Sequence, residues 1–334
     1  MEFYDGILCA GFVNAHSHLE LAYLRGSIAE GEGFAAFAES IARVRGAFSE
    51  QERLSAIADA DSTMWAEGVD AVGDIVNGAT SFATKSASRI HYHNFVEVFG
   101  LRECNMERQR ELLRYASTSL TPHSTYSVPD APFREMCEES IDKPLSIHFL
   151  ESPDEALLYD GKGRLHEWYS RVGFRCDFLH YGSPARRITV STPKERSVML
   201  VHNTCLTPND VDIIMGHFTA PVYWVLCPRS NNYISRLEPR NVALMRARAL
   251  KICIGTDSLA SNWSLSIIEE LKMFHDVPLA ERLSWATING AEALGIADKY
   301  GTIEVGKRSG IVNITGVNLE DFSLTPTSSA RRIL

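Results

Sequence analysis

Gly11-Phe12-Val13-Asn14-Ala15-His16-Ser17-His18-Leu19-Glu20-Leu21 is the stretch on which the fold turns. It closes a β-rich segment that begins at Ile7 and carries two histidines at its end. Period two along a strand places His16 and His18 on the same face. Seven further β-rich runs follow, at 70–75, 91–99, 117–123, 144–150, 198–206, 222–227 and 251–257. Between them lie amphipathic stretches, among them 34–45, 51–67, 105–115, 239–250 and 279–294. Runs such as Val198-Met199-Leu200-Val201 and Val222-Tyr223-Trp224-Val225-Leu226 are apolar throughout, as a parallel sheet buried on both faces requires. Eight β units with helical crossovers predict an α/β fold, a (β/α)₈ TIM barrel over residues 7–299. No G-x-G-x-x-G follows a strand and no G-x-x-x-x-G-K-[ST] occurs, which removes the usual nucleotide-phosphate cradles.

A TIM barrel builds its site from the C-terminal ends of its strands. Here those ends read His16-Ser17-His18, Thr121-Pro122-His123, His148-Phe149-Leu150-Glu151, His202-Asn203 and Gly255-Thr256-Asp257-Ser258. Five histidines, a glutamate and an aspartate are thereby brought to one rim. His16, His18, His148 and Asp257 make a mixed nitrogen and oxygen set suited to zinc or iron, with a position left for water. A His-x-His alone is weak evidence, and the sequence contains its own control, His91-Tyr92-His93. That pair starts its strand, so it belongs at the opposite, stability face with a structural or solvent role. His166, His180, His217 and His275 fall in helices or connections and are read in the same way.

The chain has 334 residues, 45% of them hydrophobic and 22% charged, which is ordinary for a soluble globular protein. A net charge of −9 gives no electrostatic reason to expect nucleic acid or an anionic membrane as a partner. Seven scattered cysteines without a C-x-x-C pair argue against a disulfide framework and against a cysteine-built zinc site. The start, Met1-Glu2-Phe3-Tyr4-Asp5, is not a signal peptide, and no apolar run is long enough to span a membrane. The expected location is the cytoplasm. After the last helix, 300–307 and the strand-like 310–317 predict a small β appendage, with 300–334 and 1–6 forming part of a β-sandwich. A lone hairpin is marginal in water. Its partners are therefore expected from an N-terminal segment beyond the residues seen here, or from a neighbouring subunit in a homodimer. In 109–120 a helical pattern runs into a strand with no Gly or Pro to mark the turn.

The run from Gly11 to Leu21 resembles the strand-one signature of the amidohydrolase superfamily, in its aminohydrolase branch of cytosine, guanine and adenosine-type deaminases and triazine chlorohydrolases. Supporting matches are Thr121-Pro122-His123-Ser124, His148-x-x-Glu151, Val201-His202-Asn203, Cys227-Pro228-x-Ser230-Asn231 and Gly255-Thr256-Asp257-Ser258. Trp285-Ala286-Thr287-x-x-Gly290-Ala291-x-x-Leu294-Gly295 and Gly301-x-Ile303-x-x-Gly306-Lys307 extend the likeness over nearly the whole chain. The resemblance implies that His16, His18, His148 and Asp257 hold one divalent metal, Zn²⁺ with Fe²⁺ as the alternative. It implies Glu151 as proton shuttle, His202 and Asp257 as catalytic residues beside the attacking hydroxide, and Glu20 and His123 as substrate-facing. Some relatives bridge two metals with a carboxylated lysine at the end of strand four; His123 stands there, so one metal is expected. The implied activity is hydrolytic deamination of a purine-like or related nitrogen heterocycle, with aminodeoxyfutalosine deaminase-like enzymes as the nearest likeness. Two other readings stay open, a chloro- or alkylamino-heterocycle hydrolase on the same site and a non-catalytic metal-binding scaffold. The sequence departs from the family at Ala10, where proline is usual, and at Ser309-Gly310, where Ala-Asp is usual.

Overall fold

The structure, a computed structural model, describes residues 3–104, 106–139 and 141–334. Met1 and Glu2 of the expected appendage, and Asn105 at the head of the expected helix 105–115, lie outside the described residues. The strands are β1 (Ile7–Ala10), β2 (Phe12–Ser17), β3 (Val69–Val76), β4 (His91–Val98), β5 (Thr118–Pro122), β6 (Leu145–Phe149), β7 (Val198–His202), β8 (Val222–Leu226), β9 (Lys251–Ile254), β10 (Ile311–Asn318) and β11 (Ser323–Arg332). Strands β2-β3-β4-β5 and β6-β7-β8-β9 form two parallel four-stranded sheets. Parallel bridges at Ser124–His148 and Ser17–Asp257 join their edges, so the eight strands close as a TIM barrel.

The expected first strand, 7–18, is in fact two strands in two sheets. β1 pairs antiparallel with β10, from Ile7 opposite Ile314 to Ala10 opposite Ile311, and β10 pairs with β11. The chain passes from that sheet to the barrel at Gly11, whose N–H donates to Gly310 O at 2.9 Å. A Cβ there would lie 2.2 Å from Asp70 Cγ, so only glycine fits the crossing. A partner for β10 therefore comes from residues first read as barrel strand. The appendage docks through Arg332, which donates to Asp70 Oδ1 (2.7 Å) and Val69 O (3.0 Å) while its guanidinium lies over Trp65.

Other boundaries differ from expectation too: the strands expected over 198–206 and 251–257 end at His202 and Ile254. The predicted helix 279–294 is two helices, Leu279–Trp285 and Ile288–Ala293, separated at Thr287. The unpunctuated stretch 109–120 turns at Ser117, which takes a left-handed φ of 52° without being glycine. The seven cysteines are all free.

One apolar cluster fills the layer between barrel and helices, with Phe12, Ile57, Phe133, Ile147, Ile188 and Trp224 among its members. A second occupies the barrel interior, where Ala71 and Ile75, Met199 and Val201, and Tyr223 and Val225 recur at even spacing. The helix Ile288–Ala293 packs against β2 and β9, with Gly290 set tightly on Val13. The floor of the barrel is thus sealed, and side chains beyond the C-terminal strand ends are left to form the mouth.

Candidate active site

The inner ends of the strands carry the sequence-predicted residues to one place. His16 and His148 are the last residues but one of β2 and β6, and His202 ends β7, while His18, His123, Glu151 and Asp257 stand within three residues of their strands. Asn14 of β2 pairs with Val72 of β3, and Ser17 with Asp74, so three steps on one strand match two on the other. This bulge re-aims the strand just where the two histidines leave it. Leu150 (50°), His202 (80°) and Asn203 (56°), at or directly after strand ends, and Asp257 (57°), three residues past β9, take positive φ without being glycine. Such backbone costs energy and gathers where side chains must be aimed against local preference.

The barrel closes on this site. Asn14 Nδ2 donates to Thr256 Oγ1 (2.7 Å) and Asn14 Oδ1 accepts the Thr256 N–H (3.1 Å), tying β2 to the residue before Asp257. The His16 carbonyl accepts N–H groups from Thr256 and Asp257 at 3.0 and 3.1 Å. A Cβ on Gly255 would sit 2.8 Å from His16 Cβ, so the glycine of Gly255-Thr256-Asp257 is what lets the two strands meet.

His18 Nε2 lies 3.2 Å from His16 Nε2 and 3.4 Å from His148 Nε2. Asp257 Oδ1 is 3.4 Å from His18 Nε2 and 3.8 Å from His16 Nε2. A tetrahedral ion with bonds near 2.0–2.1 Å has ligand atoms about 3.3 Å apart. Three of these separations lie within about 0.1 Å of that figure, and the fourth, His16 to Asp257 at 3.8 Å, is longer. The protonation states agree. Burial, together with the neighbouring imidazoles, holds His16 well below the usual histidine range and lowers His148 also. Burial likewise pulls His18 down, against the pull of Asp257. Burial pushes Asp257 upward, but His18, His202 and the hydroxyls of Ser230 and Ser261 outweigh it and hold the carboxylate ionised.

Outer contacts fix several of these groups. His148 Nδ1 donates to His123 O at 2.8 Å, which leaves Nε2 with its lone pair toward the cluster. Ser230 and Ser261 hydroxyls donate to Asp257 Oδ2 at 2.6 and 2.7 Å, leaving Oδ1 for the cluster. His202 Nδ1 donates to Asn231 Oδ1 at 2.9 Å, so its Nε2 is an acceptor, 3.7 Å from Glu151 Oε1. His16 Nδ1 is buried with no hydrogen-bond partner. His16, His148 and His202 also form a close set of ligand atoms, which puts His202 beside the cluster.

His18, Glu20, His123, His148, Glu151 and Asp257 line one cavity of about 290 Å³, with His16 and His202 directly behind. Glu151 is buried; burial raises its carboxyl to about 7 against the pull of His148. Its Oε2 accepts the Tyr126 hydroxyl at 2.9 Å, and its N–H donates to Glu155 Oε2 at 3.2 Å. His123 stacks on His148 at 4.5 Å and bonds Ser127 Oγ through Nδ1 at 2.7 Å. Glu20 accepts the Asn77 N–H at 3.0 Å, and burial raises its carboxyl to about 7. Its loop is anchored because the Leu19 N–H donates to Asp74 Oδ1 (2.8 Å), and Asp74 pairs with buried Lys85 at 2.5 Å. The far wall is apolar, made by Phe34, Phe37 and Ile41 of the helix Phe34–Val44 with Trp168. His91 and His93 lie away from this mouth, His91 stacked on Tyr300 and His93 3.0 Å from Ser119 Oγ.

Sequence reasoning passed over Asn77, Glu97 and Tyr126, which line the cavity, and gave no role to Ser230 or Asn231. A signal for Glu97 was present: an acid within the apolar run Phe95-Val96-Glu97-Val98 must face a polar purpose.

The chain as a whole is similar to known proteins. An adenosine deaminase of Helicobacter pylori is 27% identical over 336 residues, covering 95% of this chain and 80% of its own length. The crystal structure of Helicobacter pylori aminofutalosine deaminase in complex with methylthio-coformycin superposes with a TM-score of 0.81 at 27% identity, over 93% of this chain and 80% of that one. An adenosine deaminase from Xanthomonas campestris with bound zinc shares the fold, with a TM-score of 0.73 at 24% identity over 93% of this chain and 72% of the other. The profile of the amidohydrolase family matches residues 7–327, from β1 into β11, and the chain is a hydrolase that belongs to that family.

Proposed function

We propose that the protein is a metal-dependent hydrolytic deaminase acting on the exocyclic amine of a purine-like heterocycle, an adenosine derivative being the preferred substrate class. The observation that carries the reading is the convergence of His16, His18, His148 and Asp257, with His18 Nε2 3.2–3.4 Å from donor atoms of the other three, beside a buried glutamate. Those four residues would hold one Zn²⁺, which when bound supplies the Lewis acidity that makes water nucleophilic near neutral pH. Iron is the alternative for the same donors. The zinc of the Xanthomonas relative and the adenosine-type substrates named for the Helicobacter proteins support the assignment.

The chain's own residues then do the following. His202, its Nδ1–H spent on Asn231, accepts a hydrogen bond from the attacking water at Nε2. Glu151 takes one water proton at the carboxylate oxygen that Tyr126 does not occupy and delivers it to the ring nitrogen; it then takes the second proton, from the hydroxyl now on the ring carbon, and delivers that one to the departing amine. A C–O bond forms, the C–N bond breaks, ammonia leaves and the ring keeps a carbonyl. Glu20 and His123 face the substrate from the cavity wall. A chloro or alkylamino leaving group would use the same proton shuttle; the adenosine-type relatives favour the amine. We place the protein in the cytoplasm, where its seven thiols stay reduced.

The test is an ammonia-release screen of zinc-loaded protein against adenosine, 5′-substituted adenosines, guanine, cytosine and pterins, with metal content measured in parallel. Ammonia from the adenosine group is the expected result. Stoichiometric metal without turnover of any amino-heterocycle would refute the reading.

A further inference from the structure

Glu151 is the carboxylate that proton transfer needs, yet besides Asp257 of the cluster two further glutamates face the same cavity. Glu97 sits two residues past Phe95, whose ring belongs to the barrel interior, so it points into the mouth from the end of β4. It is 2% exposed. Its Oε2 accepts Asn77 Nδ2 at 2.9 Å, and the Asn77 N–H donates to Glu20. Asn77 therefore holds the two carboxylates side by side. Glu97 Oε1 is buried with no hydrogen-bond partner. The nearest ring nitrogen, His148 Nδ1 at 3.7 Å, already donates to His123 O. Among the ion pairs of the described residues, no lysine or arginine meets either Glu20 or Glu97. Burial raises the Glu97 carboxyl to about 8; in its ionised form, which a cation held by the neighbouring donors favours, Oε1 is an acceptor with nothing in the protein to satisfy it, and a buried acceptor left unpaired is costly.

Its position says what must satisfy it. Ligand atoms of Glu97, His123 and His148 lie within 4.8 Å of one another, so Glu97 is beside the reacting centre and not at the cavity's apolar end. We infer that Glu97, held by Asn77 and paired with Glu20, selects the leaving group: its free Oε1 accepts an N–H from the exocyclic amine and rejects a halide or alkoxy group at the same carbon. This rests on the deaminase reading above and adds a specificity-determining residue to it. An amine brings the donor that Oε1 lacks, whereas chlorine or a methoxy oxygen brings only lone pairs against a carboxylate oxygen. Sites built to hydrogen-bond an N–H discriminate strongly against analogues without it.

Glu97→Gln tests this because Asn77 dictates how the new side chain sits. The Asn77 amide must keep an acceptor, so the introduced amide turns its oxygen toward Asn77 and its NH₂ toward the cavity. The polarity at Oε1 is then inverted in a side chain of the same size. We would take the best amino substrate of the screen, adenosine for example, with its chloro counterpart, 6-chloropurine riboside. The readout is the ratio of kcat/KM for the two, in wild type and in E97Q, with zinc content and Tm recorded. The ratio cancels the fraction of folded, loaded enzyme. It should fall at least roughly 10-fold in E97Q, the loss expected for a hydrogen bond to a charged group, with Asn77→Ala moving it in the same direction. A ratio unchanged while both rates fall together would overturn the inference and leave Glu97 a structural partner of His148. A wild type that deaminates nothing would instead remove the deaminase reading, and this proposal with it.

Discussion

Replacing Glu151 by glutamine separates proton transfer from metal binding and from folding. The side chain is buried, 8% exposed, and one of its oxygens accepts the Tyr126 hydroxyl. A glutamine keeps an oxygen for that contact and the same volume, so neither a cavity nor an unsatisfied hydroxyl is created. Its N–H bond to Glu155 is main-chain and survives. Glu151 does not belong to the four atoms spaced for a metal, so zinc content should stay stoichiometric. What is lost is the carboxylate whose free oxygen lies 3.7 Å from His202 Nε2, placed to take and return the proton. General acid–base catalysis contributes about 10²–10⁴-fold, roughly 3–5 kcal/mol at 1.36 kcal/mol per decade. We expect kcat to drop by that factor with KM nearly unchanged, since the interaction matters in the transition state alone. Ammonia release under saturating substrate, metal analysis and thermal unfolding together provide the assay. Wild-type turnover in a metal-replete, folded variant would show that the proton travels elsewhere; loss of zinc in it would show that the carboxylate is a ligand.

Asn231→Leu should cost roughly 10–100-fold in turnover, the usual loss for an outer partner of a site histidine, because the His202 Nδ1 proton loses its acceptor; unchanged kinetics would remove His202 from the reaction. Lys85→Met should destabilise by about 3–5 kcal/mol by leaving Asp74 buried without its cation, a Tm drop of roughly 4–7 °C for a chain of this length. Adding Asp74→Asn should restore much of that, and a double variant no better than the single would rule out the ion pair as the cause. Removing the metal with a chelator should lower Tm by roughly 6 °C if zinc was present at about 1,000 times its Kd, whereas His16→Ala should show no such difference between treated and untreated protein.

Much of the site was legible because strand ends write it in order. His16, His18, His123, His148, Glu151, His202 and Asp257 each stand at or just past the end of a run apolar enough to read as a buried strand, and a barrel has one place to put such ends. What stayed hidden depends on pairing or on backbone angles. Ile7–Ala10 looks continuous with Phe12–Ser17 because both are apolar, and only the register with β10 shows the change of sheet. Ser117 turns the chain at a φ of 52° with a side chain in place, so no glycine announced it. Asn77 follows β3 in a loop, and its role rests on being within reach of two carboxylates from other segments, a coincidence in space with no period in sequence.

The helix Pro228–Ser235 couples the chemistry to the shape of the cavity. Ser230 and Asn231 reach inward to Asp257 and His202, while Tyr233 and Ile234 on the same helix hold the loop ahead of Phe34 through Tyr233 OH–Ile28 O (2.7 Å), Gly31 N–Tyr233 O (2.8 Å) and Gly33 N–Ile234 O (2.9 Å). Redesign of the apolar wall for a different substrate is therefore not independent of turnover. A loop graft that shifts this helix by a few tenths of an ångström moves two reacting groups at once, so swapped walls should be transplanted together with residues 228–235. Directed changes confined to the loop would then trade rate for selectivity, while compensating substitutions should accumulate on this one helix.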